Sequence, residues 1–349
     1  MSLTAFGNRY DVEVLLGEGG LGRVFLARDR VLGRQVAVKV LRDDLGVPTT
    51  AVAHLAERVR REAKATAGLS HPNLVVLHDM GEDADAGPYL VFELVHGPTL
   101  RERLSRGALS PAEVAAMARA LGSALTYAHA AGVVHRDVKP ENVMLAPAGA
   151  KLADMGVGRL PDSMPAAVAT ALATAAYGAP ETQSGTGFGA AADQFSLAAT
   201  LYEALTGAPP FRGDDASAVA SRVAKVTHAP PSGASAGLRR FARLDAIFDR
   251  ALAKEPRHRF ASCEAFCAAL ATELEGTHML LLTPAPQSSI VPRATRRWQN
   301  AAAAAAVVVI CALVLLGRRR PGDGVSLKAV ASAFAATLAP PRPPAPPGR

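Results

Sequence analysis

The feature that most restricts the fold of this chain is a change of hydrophobic period near Gly97. Residues 10–95 carry short apolar runs, "GRVFLA", "RQVAVKVL" and "PYLVFELV", which read as strands around one helical stretch from about Val52 to Gly68. Past Gly97 the spacing becomes helical. At Ser110 the run "SPAEVAAMARALGSALTYAHAAG" opens with a Ser cap, a Pro at the first helical position and Glu113 three residues on, and Val114, Met117, Leu121 and Leu125 then mark one apolar face. Further helices are expected near 190–206, 214–226, 243–254 and 262–275. Strands first and helices afterwards predict an α+β arrangement of two lobes, 10–95 and 96–275.

The chain has 349 residues, 49% of them hydrophobic, enough for a sizeable core. Its formal charge of +7 is unevenly placed: from residue 276 onward there are nine Lys/Arg and one acidic residue, which leaves 29 basic against 30 acidic residues before it. A nearly neutral globular part lacks the basic face that phosphate-backbone contacts require, so no nucleic-acid partner is expected. Three cysteines are too few for a disulfide framework. Cys263 and Cys267 lie four apart in a helical stretch without further Cys or His at ligand spacing, and they read as buried thiols. The opening "MSLTAFGNRYDVE" has no basic start followed by an apolar core, so no signal peptide is expected and the lobes are expected in the cytoplasm.

Past Glu275 the composition shifts to a Pro- and Arg-containing linker, 276–300, and then to "AAAAAAVVVICALVLLG", 301–317, uncharged throughout and followed by Arg318, Arg319 and Arg320. As a helix these residues would span about 25 Å, slightly short of a bilayer core, with Trp298 and the flanking Arg at the interface. The expectation is a single-pass span in the cell inner (plasma) membrane, with 318–349 a short disordered tail.

Three stretches carry chemistry. "LGEGGLGRVFLA" holds Gly17, Gly19 and Gly22 in a Gly-x-Gly-x-x-Gly pattern, which lets backbone amides approach phosphate oxygens. A dinucleotide fold would need a helix at the third glycine, but strands follow. A glycine-rich hairpin over a nucleotide, with Val24 against the base, fits instead. In "VAVK", alternation puts Ala37 and Lys39 on one face and Val36, Val38 and Val40 on the other, which sets a cation beside a small residue suited to adenine. Glu62, on the one helix of this lobe, is the candidate carboxylate for that ammonium. Finally, "HRDVKPENVML" supplies Asp137, Lys139 and Asn142, and Asp154 follows twelve residues after the Asn. Two metal ligands, a base and a cation within one loop–strand–loop segment are what phosphoryl transfer needs.

With these motifs in this order, residues 10–275 resemble the eukaryotic-type (Hanks-type) protein kinase domain, and the bacterial serine/threonine kinases in particular. The resemblance implies ATP and Mg²⁺ as cofactors and protein Ser/Thr side chains as acceptors. It implies that Asp137 orients and deprotonates the acceptor hydroxyl, that Lys139 neutralises the transferring phosphate, and that Asn142 and Asp154 hold magnesium. Lys39 paired with Glu62 would position the α and β phosphates. Leu16, Gly17, Gly19, Gly22, Val24, Ala37 and Met144 would surround the nucleotide, Phe92 would be the gatekeeper, and Glu93 to Val95 the hinge reading adenine. Glu181 of "YGAPE" would pair with Arg259, and Asp193 would brace the catalytic loop. Arg136, before the catalytic Asp, implies activation by loop phosphorylation, with Thr170 favoured over Thr174 and Ser163. Pairing of two smaller lobes into a homodimer is a further family expectation.

Three positions depart from the family pattern: Leu21 at the glycine-loop tip, Thr66 four after Glu62, and Met155 where Phe is usual. None of them touches phosphate or metal, so the exchange at Met155 bears on how firmly the active arrangement is held. Two other functions compete with this one. A pseudokinase scaffold that binds nucleotide and partners without catalysis is opposed by the retained Lys39, Glu62, Asp137, Asn142 and Asp154. A small-molecule phosphotransferase is opposed by the full activation segment, which forms a platform for a polypeptide.

Overall fold

Alternation in the first part of the chain builds one antiparallel sheet. Its strands are β1 (Ala5–Phe6), β2 (Tyr10–Glu18), β3 (Gly22–Asp29), β4 (Arg34–Leu41), β5 (Leu77–Asp83) and β6 (Gly87–Glu93), in the order β1-β2-β3-β4-β6-β5. The computed structural model describes residues 5–18, 22–41, 49–155, 175–184 and 187–282, all within one compact unit, Met1–Thr283. The Val face of β4 is buried with Phe6, Phe25, Ala27, Tyr89 and Val91, while Ala37 on the opposite face is half-buried. The helix α1 (Thr49–Thr66) carries Glu62. The sequence of β5, "LHDMGED", has no apolar alternation to read because it is an edge strand, paired among the described residues only with β6.

One ionic cluster ties the start of this lobe together. Arg9 grips Asp29 through Nε (3.0 Å) and Nη2 (2.8 Å), and the amides of Val31 and Leu32 also donate to Asp29. The Arg9 hydrogen bonds, opposed by burial, hold the Asp29 carboxyl at about 2, below its ordinary 3.8. A depressed carboxylate stabilises the fold fully above its unfolded value, and that stabilisation is lost as pH falls through the folded value. The melting-temperature gap between wild type and Asp29→Asn should therefore be constant at neutral pH and shrink between pH 3.8 and about 2. Parallel melting curves across that window would contradict this.

The second lobe comprises α2 (Leu100–Leu104), α3 (Pro111–Ala130), the hairpin β7 (Val143–Ala146) and β8 (Gly149–Leu152), α4 (Ala190–Thr206), α5 (Ala216–Lys225), α6 (Leu244–Ala251) and α7 (Cys263–Leu282). Ser110 caps α3 with the expected box, its hydroxyl accepting from Glu113 N while Glu113 returns to Ser110 N. The α4 helix is buried at every position from Ala192 to Leu205, which makes it the post around which the lobe packs. α3 lies against α7, where a Cβ at Gly122 would stand 2.6 Å from that of Cys267, so only glycine allows this approach. Cys263 and Cys267 are free and buried as expected, and burial pushes both thiols up.

Two differences from expectation concern helices. α2 went unread because it has only five residues, although Thr99 and Glu102 form a capping box at its start. α7 continues to Leu282, so residues 276–282 of the expected linker are helical; the run "MLLL" at 279–282 is made of good helix formers, and Pro284 follows. Among the described residues no helix is long and apolar enough to cross a membrane. The span expected at 301–317 and the tail lie outside the described residues, as do Gly19, Leu21, Ser163, Thr170 and Thr174.

Candidate active site

The nucleotide side of the cleft is built by strand pairing. Gly17 stands opposite Val24, Val24 opposite Lys39, and Ala37 opposite both Leu26 and Phe92. A register shift between Leu15 and Gly17 leaves Leu16 as a bulge, 51% exposed at the strand face. The two described glycines serve different ends. Among the described residues a Cβ at Gly17 would meet nothing within 4 Å, whereas one at Gly22 would lie 2.1 Å from Val40 O. Gly22 thus lets β3 approach β4. Across the cleft Met144 is half-buried and bridges to Thr99, and Glu93 at the end of β6 is tied by Lys151 Nζ at 2.6 Å. Val95 is half-buried just beyond.

The loop carrying Asp137 is held from α4. The Asp193 carboxylate, buried in that helix, accepts from His135 N (2.7 Å) and Arg136 N (2.8 Å). His135 Nδ1 accepts from Asp137 N, so its Nε2 carries the proton and donates to Ala153 O at 2.9 Å. This couples the base-bearing loop to the turn before Asp154. Arg136 (φ 71°) and Asp154 (φ 60°) both sit in the left-handed region, a conformation that L-residues adopt only when their surroundings enforce it.

Around Asp137 the expected groups converge. Lys139 Nζ is 2.7 Å from Asp137 Oδ2, and Asn142 Nδ2 donates to the same oxygen (3.0 Å) and to Asp137 O (2.7 Å). Among the described residues both side-chain contacts fall on Oδ2, which leaves Oδ1 to receive a proton. Ala153 N donates to Asn142 O at 2.8 Å, so the two candidate metal ligands, Asn142 and Asp154, are joined through the backbone. Burial opposes ionisation of Asp154, but the charge and hydrogen bond of Lys39 outweigh it and hold the carboxyl below its ordinary value. The site therefore offers hard oxygen donors. No cluster of three or more His, Cys, Asp or Glu that could hold an ion alone exists among the described residues. An ion held here would draw its other ligands from water and phosphate oxygens, as magnesium ordinarily does.

One expected pairing is not made. Lys39, almost fully buried, binds Asp154 (Nζ–Oδ2 2.7 Å), and Glu62 binds Arg136 (Oε1–Nη1 2.9 Å). The physical reason is charge balance. Two cations and two carboxylates share one region, a buried ammonium requires a partner, and either pairing keeps every charge neutralised. The partner of Lys39 is thus an exchangeable choice that spacing along the chain does not fix.

Other expected contacts are present. Arg259 makes a bidentate pair with Glu181 (2.6 and 2.8 Å). Met155 is buried in the main core, and Thr66, also buried, turns its hydroxyl back to Glu62 O and Ala63 O. The sequence reading missed Arg101, Glu141, Tyr177 and Glu203, which form one hydrogen-bonded group beside the catalytic loop. The only signal for it was the box at Thr99 and Glu102, which places Arg101 on a short helix.

Comparison with known proteins points the same way. The family model described as "Protein kinase domain" matches residues 10–269. The chain is 38% identical over 283 residues to the probable serine/threonine-protein kinase PknB of Bifidobacterium longum, covering 77% of this chain and 40% of that protein. It is 41% identical over 261 residues to the serine/threonine-protein kinase PknB of Mycobacterium tuberculosis, covering 72% and 41%. The chain thus spans about two fifths of the length of these relatives. Among solved structures, the M. tuberculosis PknI kinase domain superposes with a TM-score of 0.64 at 30% identity, covering 79% of this chain and 99% of that one.

Proposed function

From a chain that belongs to the protein kinase domain family, within its bacterial Hanks-type serine/threonine branch, we infer an ATP-dependent protein kinase that transfers the γ-phosphate to Ser or Thr of proteins, its own activation loop included. The observation that carries this reading is the convergence of Lys139 and Asn142 on one oxygen of Asp137, with Asp154 linked to the same loop through Ala153 and His135. When bound, Mg²⁺ and ATP supply a polarised phosphoryl group. Asp137 Oδ1 is placed to accept the hydroxyl proton of the acceptor, Lys139 to balance phosphate charge, and Asn142 and Asp154 to hold the ion. Leu16, Gly17, Val24, Ala37 and Met144 would enclose the nucleotide, and Glu93 to Val95 would present backbone groups to adenine. The direct test maps phosphosites after incubation with Mg-ATP. Phosphate on Ser and Thr supports the reading, phosphate on Tyr alone contradicts the acceptor class, and none at all favours a nucleotide-binding scaffold.

The exchanged ion pairs favour a second statement, about regulation. With Glu62 on Arg136 the site rests, and phosphate on the activation loop, at Thr170 before Thr174 or Ser163, would compete for Arg136 and release Glu62 to Lys39. Met155 sets how firmly that state is held. If its packing differs from that of Phe by about 1.4 kcal/mol, the ratio of states changes about tenfold. Met155→Phe should therefore raise basal autophosphorylation by up to about tenfold, with the fully phosphorylated forms equal. Equal initial rates from dephosphorylated protein would contradict this.

The uncharged run 301–317, flanked by arginines, supports anchoring in the inner membrane with the kinase domain cytoplasmic, where ATP is; membrane flotation of the full chain and of a chain ending at residue 300 tests this. Val31 and Leu32, 72% and 58% exposed at the β3–β4 turn, offer an apolar patch for a homodimer of small lobes.

A further inference from the structure

Beside the catalytic loop, Arg101 makes three directed contacts from one side chain. Its Nε donates to Glu141 Oε1 (2.8 Å), Nη1 to Glu203 Oε1 (2.7 Å) and Nη2 to the Tyr177 hydroxyl (2.5 Å). Tyr177 in turn donates to Glu203 Oε2. Four elements meet in this one group: the short helix α2, the end of the catalytic loop, the segment 175–184 and the buried post α4. Tyr177 and Glu203 are both buried.

Each partner depends on the guanidinium in its own way. Glu141 lies two residues past Lys139, and its other oxygen, Oε2, is buried with no hydrogen-bond partner among the described residues, so the Arg101 contact is the one there that fixes this side chain. Glu203 would be a buried carboxylate facing only a phenol were Arg101 absent. Burial and then the Glu203 carboxylate push the Tyr177 phenol far up, so its hydroxyl stays a donor. Tyr177, Gly178 and Ala179 line one small cavity with Asp137 and Val138, so the segment held through Tyr177 faces the catalytic base. A planar fork presents donors from three separate nitrogens in fixed directions and so reaches three acceptors that stand apart, whereas the three donors of an ammonium radiate from one point and cannot span the same three positions.

We propose that Arg101 is a positioning residue that fixes the acceptor-binding segment around Tyr177 relative to the Asp137 loop, by joining Tyr177, Glu141 and Glu203 through one guanidinium. Its action is on the protein acceptor and not on the nucleotide, because none of its partners belongs to the group that surrounds the nucleotide. The inference rests on the kinase reading above. A displacement of about 1 Å between acceptor and base is enough to lower transfer by up to a hundredfold.

The test uses the full chain and two variants. Arg101→Lys keeps the charge that neutralises Glu203 and Glu141 but loses the fork. Arg101→Met with Glu203→Gln removes the guanidinium and the carboxylate it would leave buried, so folding is retained and is checked by melting. The acceptor is the Asp154→Asn form of this chain. In both variants the KM for acceptor should rise about tenfold while the KM for ATP moves less than about twofold. Amide exchange in 175–184 should quicken by about tenfold. Complete restoration by Arg101→Lys, an equal rise in both KM values, or unchanged exchange in 175–184 would overturn the proposal. Wild type that transfers nothing to this acceptor would instead sink the kinase reading, and the exchange measurement would still decide whether Arg101 holds the segment.

Discussion

Asp137→Asn is expected to lower the rate of phosphate transfer by about 10²–10⁴-fold, the usual contribution of a positioned general base. The amide has the shape of the carboxylate and can still accept from Asn142, so the loop should keep its form through Asp193 and His135. What it loses is the capacity to take a proton and the charge that Lys139 answers at 2.7 Å. Because Asp137 lies on the acceptor side of the cleft, ATP affinity should stay within about threefold, the signature of an interaction made chiefly in the transition state. A loss of less than about threefold in kcat, measured with saturating acceptor, would remove Asp137 from the reaction.

Arg259→Met is expected to be the most destabilising single change in the larger lobe, at about 3–5 kcal/mol. The Arg259 side chain is 0% exposed and holds Glu181 with both ends of its fork. It also donates to the carbonyls of Ala253, Ala191 and Lys254, which methionine cannot satisfy. The pair joins the end of the activation segment to the loop before α7, so its loss should loosen 175–184 before the rest of the fold opens. Urea unfolding measures the effect. Adding Glu181→Gln should recover part of the loss, since neighbouring changes in one network do not add. A cost below about 1 kcal/mol would mean that the buried pair is dispensable.

Much of this site was legible because its residues sit close together along the chain. Asp137, Lys139, Asn142 and Asp154 fall within one short stretch, and the alternation of β4 put Lys39 and Ala37 on the cleft side, where the structure has them. Asp193 and the Glu181–Arg259 pair were expected and are present. What stayed hidden has physical causes. β5 lacks an apolar face to read because it is an edge, and α2 is shorter than two helical turns. Arg101 meets Tyr177 and Glu203 across 76 and 102 residues, and no periodicity encodes such a meeting. The pairing of Lys39 is a different case. Glu62 and Asp154 are both carboxylates within one cleft, and composition does not state which of them an ammonium holds in a given state.

Transfer of phosphate by this arrangement of Asp137, Asn142 and Asp154 is the property on which the assignment depends. The most direct measurement follows incorporation of label from γ-labelled ATP and Mg²⁺ into the purified chain, with Asp154→Asn in parallel. Asp154 is both the candidate metal ligand and the present partner of Lys39, so the amide keeps the fold but removes the charge that both roles need. Label on Ser or Thr of the wild-type chain, and none on the variant, is the expected result. Wild type without label, or a variant that labels equally, would contradict phosphate transfer by this site.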